Sequence, residues 1–125
     1  MPDAYALRVF ASCMSVPAMD AIVASASKAG RAALSRPAGL SRVAVVHTRV
    51  PAGRDAFVHH VHHHDEEGMF VLSGHGVAGI GDVEHPIGPG DFLGFPPGVA
   101  HGARSAEGEE LVYVQGGDAW SRSSI

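Results

Sequence analysis

From Arg42 onward the chain reads as short, apolar segments rich in β-branched residues and punctuated by glycine and proline. Arg42–Val50 (RVAVVHTRV) is the clearest of these, and Pro51-Ala52-Gly53 closes it. The same pattern predicts further strands at Ala56–His62, Glu67–Leu72 and His75–Ile80, with Ser73-Gly74 and Gly81-Asp82 where tight hairpin turns belong. Glu84–Ile87, Asp91–Phe95, Gly102–Ser105 and Glu110–Gln115 continue the series at intervals of roughly 8–12 residues. Many short strands with regular turns predict an all-β antiparallel sandwich or barrel. Phe57, Phe70, Phe92 and Phe95 read as core, since aromatic residues on strands usually pack. On the last strand either Leu111, Tyr113 and Gln115 or Val112 and Val114 face inward. Asp91 reads as a cap on turn amides.

The first forty residues follow no such rhythm. They are rich in alanine and serine, and residues 18–35 could form a helix on alanine propensity alone. We divide the chain into an N-terminal arm (1–40), a β domain (41–117) and a polar tail (118–125) that contains Trp120.

Composition narrows the function classes. A chain of 125 residues holds one domain. A net charge of −4 supplies no basic footprint for nucleic acid and no cationic face for anionic lipid. No apolar run approaches the ~20 residues that span a bilayer. The first twenty residues include Asp3 and Asp20 and lack a basic start before an apolar block, so a secretory signal is not expected. Cys13 is the single cysteine, which excludes an internal disulfide and fits the reducing cytoplasm.

Histidine is the anomaly: nine in all, five of them within the six positions His59 to His64. Strand residues at i and i+2 share a face, so His60 and His62 point together while His59 and Val61 point away. A turn over residues 63–66 would return Glu67 to their side, and His101, after a Pro-Pro-Gly turn, is the candidate to complete the set. Imidazoles with one carboxylate form a ligand set that divalent transition metals favour. His64 has the parity of His60 and His62 and could replace either. His47, His75 and His85 read as ordinary exposed residues.

These residues also carry a family resemblance. The chain resembles the cupins, whose first motif reads Gly-x5-His-x-His-x(3,4)-Glu-x6-Gly. Here His60-Val61-His62 is followed by four residues, Glu67, six residues and Gly74, with Gly53 one position further upstream than the pattern sets. The second motif, Gly-x5-Pro-x-Gly-x2-His-x3-Asn, is matched by Gly90, Pro96, Gly98 and His101, with Ser105 in place of the asparagine.

The resemblance implies a small jelly-roll β-barrel holding one divalent metal ion (Fe, Mn, Ni, Zn, Co or Cu) through His60, His62, Glu67 and His101. It implies a metal-dependent enzyme on a small organic molecule, with a dioxygenase as the first reading. An isomerase, epimerase or lyase is an alternative, as is a non-catalytic binding or sensing module. A homodimer is expected, since small cupins often pair. Tyr113, if it faces inward, would place a phenol near the metal as a proton donor; otherwise it is a core or rim aromatic.

Overall fold

A computed structural model describes residues 30–60 and 64–118, the side chains of 58–60 excepted. Its strands in chain order are β1 (Arg31–Ala33), β2 (Val43–Val50), β3 (Asp55–His60), β4 (Glu67–Ser73), β5 (Gly76–Ile80), β6 (Val83–Ile87), β7 (Phe92–Phe95), β8 (His101–Ser105) and β9 (Leu111–Asp118). They form two antiparallel sheets. One runs β1-β2-β9-β4-β7 and the other β3-β8-β5-β6, and they face each other as a jelly roll. Among the described residues no helix is long and apolar enough to cross a membrane.

The alternation of the strands builds the interior. On β4, Met69 and Val71 are fully enclosed; on β9, Leu111 and Tyr113 are likewise. They meet Ala78, Ile87, Leu93, Phe95 and Ala103, with Phe57 and Ile80 packed against the cluster. β5 and β6 are joined by the two-residue loop Gly81-Asp82, with Ile80 paired to Val83. Asp91 caps its turn as expected: the Gly88 N–H donates to its Oδ2 at 2.8 Å.

Ser105, at the end of β8, ties the β2–β3 corner to the barrel. Its hydroxyl donates to the Pro51 carbonyl at 2.6 Å and accepts from the Arg54 N–H at 2.9 Å. A serine therefore does structural service where the resemblance places an asparagine.

The structure corrects the sequence reading in three places. Arg31–Ala33, at the end of the segment given helical propensity, is a strand paired with β2. Register with a β-branched neighbour overrides the local preference of an alanine-rich segment; residues 18–29 lie outside the described residues. Phe70 and Phe92 are not core. They pair across β4 and β7 and stand exposed on the outer face of the larger sheet with Leu72, because Met69, Val71 and Leu93 take the inward parity. Phe92 still lies over the backbone there, with its ring where a Cβ on Gly68 would go. His47 is buried rather than exposed. β1, which the sequence reading lacked, flanks β2 and sets Ala32 opposite His47, while Val114 sits on the other side. His75 and His85 are exposed as expected, and His75 pairs with Glu109 at 2.7 Å.

Candidate metal centre

Glu67 and His101 reach the same point from opposite sheets. Glu67 opens β4, where it pairs with Phe95 of β7 and Gly117 of β9. His101 opens β8 in the other sheet, after a turn in which Gly98 takes a φ of 81°. A side chain is strained at that angle, so glycine permits the tight return that delivers His101 to the strand start. His101 Nε2 lies 3.2 Å from Glu67 Oε1, with the two side chains only 1% and 6% exposed.

The histidine ring is held on three sides. Its Nδ1–H donates to the Val99 carbonyl at 3.1 Å. A carbonyl can only accept, so this contact leaves Nε2 to present its lone pair toward Glu67 in the neutral ring. Phe95 stacks flat on the imidazole with centroids 4.2 Å apart, and Phe57 meets it edge-on at 5.8 Å.

The electrostatics are those of a site made for a positive guest. Burial disfavours the charged imidazole, but the hydrogen bonds to Glu67 and Val99 and the charge of Glu67 outweigh it, and His101 titrates above its usual value. A carboxylate oxygen facing an imidazole lone pair needs a cation between them, either a proton or a metal. Two donors each about 2.1 Å from one ion and at right angles lie about 3.0 Å apart, close to the observed 3.2 Å. The donor set therefore fits a divalent ion.

The backbone of His60 pairs with that of His101 across β3 and β8. His62 lies outside the described residues. His64 is described and exposed. Of the four expected ligands, Glu67 and His101 are thus seen side by side, and among the described residues no group of three or more potential ligands is assembled. Tyr113 is inside, fully buried in the core cluster. Burial holds its phenol above the ordinary value; Thr48 and the charge of Arg31 oppose the rise and the charge of Glu67 adds to it. That phenol is therefore within electrostatic reach of both Glu67 and Arg31. Sequence reasoning missed Phe95 and Val99 as partners of His101 and the nearness of Arg31 to Tyr113, since only cross-strand register and the turn geometry bring them together.

Residues 46–116 match the family model described as the cupin domain. A protein of Acidithiobacillus ferrooxidans with a provisional description as a sugar phosphate isomerase is 32% identical, with a TM-score of 0.67 over 70% of this chain and 57% of its own. A sugar phosphate isomerase of the cupin superfamily from Silicibacter pomeroyi is 28% identical, with a TM-score of 0.65 over 71% of this chain and 59% of its own. A cupin protein from Bacteroides fragilis shares the fold at 22% identity, with a TM-score of 0.70 over 79% of this chain and 84% of its own. This chain thus spans less than two thirds of the two isomerase-described proteins. No protein with a curated description matches it.

Proposed function

The chain belongs to the cupin family, and on that premise we propose that it is a metal-dependent enzyme acting on a small polar organic molecule, of the isomerase type on a sugar phosphate. The observation that carries this reading is the enclosed Glu67–His101 pair, 3.2 Å apart and oriented by Val99 and Phe95. Glu67 and His101, with His60 and His62, would hold the ion. When bound, a divalent metal polarises substrate oxygens and acidifies their neighbouring C–H and O–H groups.

The chain's own residues do the rest. Phe57 and Phe95 wall the imidazole from water, which strengthens every polar contact inside. The Val99 carbonyl holds the proton at His101 Nδ1 and so keeps Nε2 as the donor atom. Tyr113, whose phenol burial keeps protonated, offers an O–H donor inside the barrel.

The relatives described as sugar phosphate isomerases support the isomerase over the dioxygenase that the sequence favoured. An isomerisation also balances without an added oxidant. Elemental analysis of the purified chain and its variants tests the metal. Wild type and His59→Ala are expected to hold about one ion per chain, and His62→Ala and His101→Ala none. Reconstitution with Fe(II), Mn(II), Ni(II) or Zn(II), followed by sugar phosphate interconversion and oxygen uptake, tests the reaction. Interconversion without oxygen uptake is expected. Substrate-dependent oxygen uptake would return the dioxygenase. Ligand-induced thermal stabilisation without turnover by any metal would make the protein a binding module.

A further inference from the structure

A second set of polar groups crosses the inner face of the larger sheet, and none of them is an expected metal ligand. Arg31 of β1 stands opposite Thr48 of β2, and Thr48 stands opposite Tyr113 of β9. Directly opposed residues of an antiparallel pair project from one face. Tyr113 projects into the core, so Arg31 and Thr48 belong to the same inner face. Neighbouring strands are about 4.8 Å apart, and the Thr48 hydroxyl lies near enough to the Tyr113 phenol to act on it.

The hydroxyls are the telling groups. Thr48 is 6% exposed and Tyr113 0%. Among the described residues neither the Thr48 Oγ1 nor the Tyr113 hydroxyl completes a hydrogen bond of sound geometry, although the two lie near enough for Thr48 to favour the phenolate. Buried hydroxyls are nearly always satisfied in folded proteins, so two neighbouring hydroxyls that no other described group satisfies leave hydrogen-bonding capacity for a guest oxygen. The charge of Arg31 is felt at the same phenol. Arg31 itself is exposed on β1, at the edge of the sheet. A guanidinium fork and two hydroxyl donors are the groups that bind compact oxyanions. Glu67, the nearby negative group, is engaged with His101.

We propose that Arg31, Thr48 and Tyr113 form an anion subsite that anchors a phosphate or carboxylate group of the substrate beside the Glu67–His101 pair. The proposal rests on reading the barrel interior as the substrate site. It adds the place of the substrate's compact anionic group, several ångströms from the atoms that react. Arg31 is the specificity-determining residue, because it carries the formal charge, and the two hydroxyls fix the direction of the oxyanion.

The test uses the full chain, metal-loaded and metal-free, titrated with inorganic phosphate and separately with acetate while the ring resonances of Tyr113 are followed by NMR. Saturable binding of one anion per chain is expected in both forms. Arg31→Gln is expected to weaken it by about tenfold or more, and Thr48→Val and Tyr113→Phe each by about three- to tenfold, with metal content unchanged. Phosphate binding more tightly assigns a phosphorylated substrate, and acetate binding more tightly assigns a carboxylate. Anion binding that vanishes with the metal, or that stays within twofold in both Arg31→Gln and Thr48→Val, overturns the subsite. Arg31-dependent binding to a chain that takes up no metal would sink the metal reading and leave the subsite standing. Arg31→Gln changes an exposed edge residue and Thr48→Val preserves shape, so the fold survives the comparison.

Discussion

Phe95 lies flat on His101, with ring centroids 4.2 Å apart and planes 4° from parallel. The two rings belong to opposite sheets, so the stack is a sheet-to-sheet contact as well as a clamp on a candidate ligand. Phe95 also pairs in register with Glu67, which puts it behind both members of the pair. Its loss should therefore be felt twice. Phe95→Ala is expected to cost about 3–5 kcal/mol of stability by denaturant unfolding. Phe95→Leu keeps most of the volume and loses the flat surface; it is expected to lower metal affinity by about tenfold, read by competition with a chromophoric chelator. An unchanged affinity in Phe95→Leu would reduce the stack to core packing.

The raised pKa of His101 sets the direction of the pH dependence. In the metal-free chain the folded imidazole holds its proton more tightly than the unfolded one. The protonated pair with Glu67 therefore adds stability that is complete below about pH 6.5, the unfolded value, and is lost as pH rises through the higher folded value. Metal binding runs the other way, because the ion must displace that proton. Affinity is expected to fall steeply as pH drops through the folded value. Melting curves of the metal-free chain, compared with Glu67→Gln across this window, check the first effect, and metal titrations at the same pH values check the second. Metal affinity flat between pH 5 and 8 would contradict both the pair and its role.

Much of the barrel was legible because its strands announce themselves locally. Five of the eight residues of β2 are β-branched, and the Gly81-Asp82 loop sits between two segments that pair. The Glu67 and His101 contact was legible too, from parity and from the turn before His101. What the sequence could not tell is what depends on neighbours across the sheet. β1 is three residues of arginine and alanine that become a strand only by lying along β2. Phe70 and Met69 are both apolar, and only the register against β9 decides which one is inside. On β9 the two parities could not be separated because buried residues fall on both faces at its start: Leu111, Val112 and Tyr113 are all buried. Arg31 could not have been linked to Tyr113 at all without two successive pairings.

Ser105 makes a prediction that separates fold from site. Its hydroxyl bridges the Pro51 carbonyl and the Arg54 N–H, and it is 2% exposed. Ser105→Ala leaves both backbone groups short of a partner, so a loss of about 1–3 kcal/mol is expected. The bridge lies at the far end of β8 from His101, and metal stoichiometry should be unchanged. Equal losses of stability and metal content would show that the corner and the site are one cooperative unit.

Gly117 is the last position at which sheet and site meet. It pairs with Glu67, and a Cβ there would press on the Glu66 carbonyl and come within 3.0 Å of Glu67 Cγ. The glycine thus leaves room for the Glu67 side chain to turn inward toward His101. Gly117→Ala is expected to push Glu67 off its line, with overpacking costing about 1–3 kcal/mol. The damage should be specific. Metal affinity is expected to fall by about tenfold or more, whereas Gly116→Ala, whose added carbon would meet only ordinary contacts with Ala44 and Val45, should leave affinity within twofold. Metal titration of both variants beside their unfolding midpoints decides it, and equal affinities would mean that Glu67 does not depend on the space over Gly117.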